Sequence, residues 1–399
     1  MCTKGRFSTC LSAPFLDTEE KRQPKSVSIK KTKSVKFLNI FRIDSSKNRV
    51  FGLDLLRAVA IILVLIQHSY AWIINDNFRR FIDFFLIDGV AVFFVLSGFL
   101  IGGIILKTFE NKITLEGILN FWKRRWYRTL PNYFFILFLL LFLNFIFKKN
   151  IPNDFIYYPL FLQNLLRPIN DFFPESWSLS IEEWFYIIVP VCVYLINIIF
   201  DTKKFKTNML LFIFIFLGLT ILLRIDRYFN LEAKNFYTYD RFFLREVTSR
   251  LDSIMLGVLG AWIYKYNKNL FYSFPRMFLI LGLCLVLTTH NLQSNNDILL
   301  YCFSFFIVPF GILLAFPYFI SFNISSYYLK KVIVHFSLTS YSLYLINLSL
   351  IKFWFIDKLN IDPTIKFILF WALSISISTL LYKYLELPIL QYRDKVTKQ

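Results

Sequence analysis

The sequence has little with which to hold a metal ion or a disulfide framework. It contains three histidines, far apart and in no HExxH pairing, so a zinc site has little support. Five cysteines are scattered: Cys2, Cys10, Cys192, Cys284 and Cys302 form no CxxC pair. The last three sit in apolar runs and read as packing residues. No apolar signal core precedes Phe51, so a cleaved signal peptide is not expected. No internal repeat and no separate soluble domain is evident. Charge is scarce as well, at 18% of residues, which leaves any charge inside an apolar run conspicuous.

What the chain has in excess is apolar and aromatic. Of its 399 residues 56% are hydrophobic and 20% aromatic, and the mean hydropathy is +0.53. A soluble domain cannot hide that much apolar surface, so the class is membrane protein. The net charge of +19 would suit nucleic acid. Here, however, the positive residues fall in short clusters between apolar runs, as in cytoplasmic loops, and nucleic acid is not expected as a partner.

Residues 1–48 are polar and rich in Lys and Ser, and read as a flexible basic tail at the cytoplasmic leaflet. From Phe51 onward about ten spanning helices are expected, because a span needs ~20 mainly apolar residues. They fall near 52–74, 86–106, 129–147, 183–200, 208–224, 252–267, 277–290, 298–319, 334–354 and 365–384. The fold class is therefore all-α, a polytopic membrane domain over 49–390 with a short tail at 391–399. The basic clusters put both termini in the cytoplasm. They comprise Lys107 and Lys112 with the 123–128 run, then Lys203, Lys204 and Lys206, and Lys265, Lys268 and Arg276. Lys330 and Lys331 follow, and Arg393, Lys395 and Lys398 close the series. The opposite loops are mixed in sign, with Asp76, Asp83, Asp154, Asp171 and Glu175, and the long 148–182 and 225–251 segments face outward.

A charge inside a spanning helix is costly and marks a functional site by default. The first span holds Asp54, Arg57 and His68. Arg57 and His68 are about three turns apart on one face, separated by roughly 16 Å along the axis. Histidine suits general-base work because its ordinary pKa, about 6.5, lies near neutrality. The plainer alternative is an interfacial Asp54–Arg57 pair and a packing histidine. Asp88 suits an N-cap of the second span. It also lies at the depth of His68, where a carboxylate would orient the imidazole. Ser97 and Gly98 allow close helix packing, and Ser97 is a remote nucleophile candidate.

Before the third span stands Phe121-Trp-Lys-Arg-Arg125-Trp-Tyr-Arg128. Arg125 and Arg128 are one turn apart and suit phosphate oxygens, although a cytoplasmic helix end demands basic residues anyway. Trp177-Ser-Leu-Ser180-Ile-Glu182-Glu183-Trp-Phe-Tyr186 opens the fourth span. Ser180 and Glu183 have capping-box spacing, while Glu182 and Tyr186 share an inward face. Arg250 and Asp252 stand at the mouth of the sixth span, and Glu386 ends the last.

These segments, in this order over most of 51–390, resemble the acyltransferase family 3 of membrane O-acyltransferases. The resemblance rests on Asp54-Leu-Leu-Arg57 with His68, and on Asp88-Gly with Ser97-Gly98-Phe. It continues through Arg125-x-x-Arg128 with Pro131, Trp177-Ser-Leu-Ser-Ile-Glu182-Glu-x-Phe-Tyr186 and Arg250-Leu-Asp252-Ser. Ser340-Tyr-Ser-Leu-Tyr344-Leu and Glu386-x-Pro388 complete it. It implies an enzyme of the bacterial inner membrane that moves an acyl group, acetyl above all, from acetyl-CoA to a hydroxyl of a cell-surface glycan or lipid such as lipopolysaccharide O-antigen. It implies His68 as base, Arg57, Asp88 and Glu182 in support, and Arg125 and Arg128 at the acyl-CoA donor. Asp54, Ser97, Trp177, Tyr186, Arg250, Asp252, Asn347 and Glu386 follow as substrate-side or structural support. Many members carry His where this chain has Asn347, which suggests a role for that position in acceptor choice. Some members carry an extracytoplasmic SGNH hydrolase-like domain; without one, transfer is completed in the membrane domain or with a partner. No permanently bound cofactor and no metal is expected, and the partners are membrane lipids, acyl-CoA and the acceptor. The rival reading is an exporter of a lipid-linked sugar, since intramembrane charges also mark transport paths.

Overall fold

The structure is a computed structural model that describes residues 49–85, 87–110, 114–149, 151–200, 204–231, 234–292 and 297–397. The basic tail expected over 1–48 lies outside the described residues, as do Lys112, Lys203 and Lys398. Long apolar runs without water must satisfy every backbone group internally, and helices do so within one segment. Among the described residues the regular structure is helical throughout.

In chain order the helices are α1 (Phe51–Ser69), α2 (Asp76–Phe85), α3 (Gly89–Phe109), α4 (Leu115–Ile146), α5 (Ser176–Ile199), α6 (Phe205–Asn230) and α7 (Phe236–Tyr239). Then come α8 (Leu251–Tyr266), α9 (Lys268–Phe271), α10 (Pro275–Leu292), α11 (Ser304–Ser321), α12 (Tyr327–Ile346), α13 (Pro363–Leu381) and α14 (Leu387–Val396). Among the described residues eight helical stretches are long and apolar enough to cross a membrane. The sixth and seventh expected spans fall outside these eight: they are helical, as α8, of 16 residues, and α10, of 18.

Two boundaries differ from the sequence reading in ways that matter. The arginine cluster does not precede the third helix but lies inside it, because α4 starts at Leu115, after Thr114, whose hydroxyl caps the Gly117 N–H at 3.1 Å. Nor do Ser180 and Glu183 form a capping box. α5 already begins at Ser176, so both residues sit within the helix and bond across it: Ser180 donates to the Phe161 carbonyl at 2.6 Å, and Glu183 accepts from the Thr129 hydroxyl at 2.8 Å. Asp88 does cap α3, accepting from the Val90 N–H at 2.8 Å.

The most extensive helix pairs are α3 with α8 and α10 with α11, followed by α1 with α12. The α3–α8 approach depends on glycine. A methyl on Gly98 would overlap the Ile254 carbonyl, and one on Gly257 would overlap the Val95 carbonyl. Small residues at such crossings let backbones meet where no water drives association. Successive spans alternate in direction. At the end where α1 begins, Lys265 of α8 reaches Glu110 and the Leu106 carbonyl beside the end of α3. At the end where α1 finishes, Arg250 meets Asp88 and Lys352 meets the His68 carbonyl. Among the described residues there are four π-helical turns, one outside the spanning stretches at Asp240–Leu244 and three within them at Leu299–Phe303, Asn347–Phe355 and Tyr382–Glu386. Such turns recur at functional sites, and here Asn347 opens one and Glu386 closes another.

Candidate active site

Two cavities meet inside the bundle. The larger, about 420 Å³, opens near the end of α1 and holds His68, Asp88, Glu175, Trp177, Arg245 and Arg250. The smaller, about 90 Å³, holds Arg57, Ser97, Arg125, Arg128 and Glu182. Val90 and Tyr344 stand in the walls of both. Helical geometry in α1 thus delivers Arg57 to one chamber and His68 to the other.

In the smaller cavity three guanidiniums converge from two helices. Arg125 hydrogen-bonds the Tyr186 hydroxyl, lies 4.3 Å over that ring and approaches Glu182 Oε2 at 3.5 Å. Glu182 accepts from Ser97 at 2.8 Å and from Tyr186 at 2.8 Å, so Ser97 is a donor to a carboxylate and not an activated nucleophile. Arg57 leans on Asp54 at 3.7 Å and donates to Ser337 at 3.3 Å. Arg128 makes no hydrogen bond or ion pair among the described residues. A half-buried, unpaired guanidinium beside two others is a strong site for an anion with several oxygens.

Asp54 lines neither cavity. It is held by Arg49, with one contact at 2.8 Å, and by the Ser337 hydroxyl at 2.6 Å, so it fastens α1 to α12 and orients Arg57. Glu386 is likewise set back, accepting from Ser342 at 2.7 Å and Asn132 at 3.1 Å.

In the larger cavity His68 Nδ1 is hydrogen-bonded to Asn347 Oδ1. Asp88, expected to orient the imidazole, shares the cavity but is bound elsewhere: its second oxygen accepts from Arg250 at 3.1 Å. The capping bond and Arg250 occupy both oxygens, so the orienting contact falls to Asn347. Arg250 is 2% exposed and packs over Phe305 at 4.5 Å and near Trp177 at 5.9 Å. Trp177 meets Phe94 edge-on at 5.8 Å. Asp252, expected beside Arg250, points away from both cavities. It forms a fully buried ion pair of 2.5 Å with Arg224 of α6, which also donates to the Ser249 carbonyl at 2.9 Å. That pairing fixes the α6–α8 contact.

Glu175 was legible only as one acid in an outward loop. It is 2% exposed and faces the larger cavity just ahead of α5, accepting from the Ser349 N–H at 3.0 Å and hydroxyl at 2.5 Å. Burial pushes its carboxyl up to about 7, against those two bonds. Nothing in its local sequence distinguishes it from Asp154 or Asp171. Tyr344, which donates to the Glu175 carbonyl at 3.1 Å and accepts from Ser178 at 2.7 Å, forms the seam between the chambers.

The arrangement is a chamber lined by three arginines joined to a chamber lined by His68. A family model described as an acyltransferase domain matches residues 50–383. The chain is 26% identical over 366 residues to the O-acetyltransferase OatA of Staphylococcus aureus (strain NCTC 8325 / PS 47), covering 85% of this chain and 57% of that protein. A putative O-acetyltransferase of S. aureus strain COL is also 26% identical, over 369 residues, covering 84% of this chain and 56% of its own length. The chain thus spans a little over half the length of these curated relatives. No solved structure matches.

Proposed function

The chain belongs to the acyltransferase family that its residues 50–383 match, and on that premise we propose that it transfers an acyl group, acetyl in the first instance, from acyl-CoA to a hydroxyl of a cell-surface glycan or lipid. The observation that carries this reading is the pair of chambers sharing Val90 and Tyr344, with three arginines in one and His68 in the other. The phosphates of the donor suit Arg128, Arg125 and Arg57, and its thioester extends along the seam toward His68. His68 takes the proton of the acceptor hydroxyl as its oxygen attacks the thioester carbon. The new C–O bond forms, the C–S bond breaks, and the departing thiolate of coenzyme A takes the proton from the imidazolium.

The relatives' printed names favour acetyl transfer to oxygen. The larger chamber suits a hydroxyl-rich acceptor, since Trp177 gives it an aromatic wall while Asp88 and Arg250 neutralise each other. A lipopolysaccharide O-antigen is one acceptor of that class. The basic end of the bundle, with Lys204, Lys206, Lys265, Lys330 and Lys331, belongs at the cytoplasm by the positive-inside rule. In a bacterial inner membrane that puts both termini and the arginine chamber on the side of acyl-CoA. Membership of an acyltransferase family weighs against the exporter reading.

The test compares ester-linked acetate on surface glycans from cells with the wild type, His68→Ala, or no copy, and labelled acetyl-CoA supplied to their membranes. Acetate that depends on the wild type is expected. Near-normal acetylation by His68→Ala would remove His68 as base, and no transfer from labelled acetyl-CoA by any sample would overturn the donor.

A further inference from the structure

We infer that Asn347 is a positioning residue that holds His68 in one tautomer, with the proton on Nδ1, so that Nε2 is the atom that receives the acceptor's proton. This deepens the proposed function and rests on His68 being its base.

The argument starts from the amide of Asn347. Its Nδ2 donates to two carbonyls of its own helix, Leu343 and Tyr344, each at 2.9 Å. Turning the amide over would set Oδ1 against those two oxygens, a repulsive arrangement with no compensating donor. Oδ1 is therefore the atom that meets His68 Nδ1. An amide oxygen can only accept, so Nδ1 must donate. A neutral imidazole carries one proton, which leaves the lone pair on Nε2. Among the described residues Nε2 has no hydrogen-bond partner, while the ring lines the larger cavity.

The segments that carry the two residues are also fastened together. Asn347 opens the π-helical turn Asn347–Phe355. Two residues of that turn are anchored: Ser349 to Glu175 at 3.0 and 2.5 Å, and Lys352 to the His68 carbonyl at 2.7 Å. The second anchor ties the turn that presents Asn347 to the residue it serves. Glu175 acts at one remove, as a post for the turn.

Other charged groups face His68 but are committed. Asp88 of α3 is paired with Arg250 of α8, and Arg245 with Asp240 at 2.8 Å. Glu175 precedes α5, Lys352 follows α12, and His290 of α10 is hydrogen-bonded to the Asp83 carbonyl at 2.7 Å. The Nδ1 contact that remains is an uncharged acceptor, which sets the tautomer without fixing a charge on the ring.

Three histidines in the chain make the tautomer directly readable. The experiment is nitrogen NMR of the full-length protein with selectively labelled histidine, with His68→Ala to assign the signal. It is joined to initial rates of transfer from radiolabelled acetyl-CoA in membranes. The wild type is expected to show His68 protonated on Nδ1 and bare on Nε2. Asn347→Leu, close in size, is expected to lose that preference. Its kcat should fall about tenfold to a hundredfold, part of the roughly 10²–10⁴ a general base contributes, with the KM for acetyl-CoA little changed. Asn347→Asp keeps an acceptor at Nδ1 but sets its second oxygen against the Leu343 and Tyr344 carbonyls, so its yield of folded protein is measured first. The folded fraction should keep the tautomer, transfer faster than Asn347→Leu and move the acid limb of the pH profile upward, because a carboxylate favours the imidazolium. A wild-type His68 protonated on Nε2, or an Asn347→Leu protein with an unchanged tautomer, would overturn the inference. Transfer that persists in His68→Ala would overturn the base assignment instead, and the spectrum would still decide the tautomer. If Asn347→Leu does not accumulate as folded protein, the wild-type spectrum decides it.

Discussion

In an Arg128→Gln variant the smaller cavity loses the guanidinium that is free to meet a ligand. Arg125 is held by Tyr186 and Glu182, and Arg57 by Asp54 and Ser337. Arg128 has no such commitment among the described residues, so its charge is the one most fully available to a donor phosphate. A hydrogen bond to a charged group contributes about 1.5–3 kcal/mol, which corresponds to about 10- to 150-fold in affinity. The KM for acetyl-CoA should rise by that factor. The kcat should stay within about threefold, because the lost contact is made equally in the ground state and the transition state. Arg128→Lys keeps the charge without the planar fork and should fall between. Arg125→Gln should behave differently, since it also strips Tyr186 and Glu182 of their partner, and should lower the yield of folded protein as well as the rate. The assay is initial rate against acetyl-CoA concentration in membranes, with coenzyme A binding to purified protein as a second measure. An Arg128→Gln protein with wild-type KM and wild-type coenzyme A affinity would refute the reasoning.

Three further outcomes follow from the packing. Glu175 titrates near 7 when folded against 4.5 otherwise. Its contribution to stability is therefore full below about 4.5 and is lost as the pH rises through about 7, up to about 3 kcal/mol in all. Glu175→Gln should flatten the fall in thermal stability between pH 5 and 8 by that order, read as the temperature at which detergent-solubilised protein loses its monodisperse peak. Gly98→Ala should destabilise by about 1–3 kcal/mol or more through overlap with the Ile254 carbonyl. Gly218→Ala, with nothing within 4 Å of the added methyl, should be neutral or slightly stabilising in the same assay. Asp252→Leu should cost about 3–5 kcal/mol by leaving Arg224 charged and buried, whereas Asp252→Leu combined with Arg224→Leu should recover most of it. A double-variant loss equal to the sum of the losses of Asp252→Leu alone and Arg224→Leu alone would show that the pair is not coupled.

Much of the fold was legible because the signal is local. A run of some twenty apolar residues must be a helix in a bilayer wherever its neighbours lie; among the described residues eight of the ten runs read fall in helical stretches long and apolar enough to cross a membrane, and α8 and α10 stand at the other two. The charges that interrupt those runs were equally visible, and Arg57, His68, Arg125, Arg128 and Glu182 do line the paired cavities. Helix starts were less legible. The run 115–128 is interrupted by Glu116, Asn120 and the Lys123–Arg125 cluster, yet α4 runs through it, with Arg125 and Arg128 on the cavity and Glu116, Asn120, Lys123 and Arg124 exposed.

The partners of the charges were decided only by the tertiary structure. His68 and Asn347 are 279 residues apart, Ser349 and Glu175 174 apart, and Arg250 and Asp88 162 apart. Sequence spacing placed Asp88 near His68 in depth, which is correct, but depth does not say which side chain a ring meets. That depends on how closely two helices approach and how each is rotated. These quantities are set by contacts such as Gly98 on Ile254 and by π-helical turns that alter the register after Ile346 and Leu381. The sequence alone determined that this chain is a bundle of membrane helices carrying arginines and a histidine in its interior. Which of those groups are bound to one another, and which are left free to meet a substrate, is a property of packing between distant segments, and no local pattern encodes it.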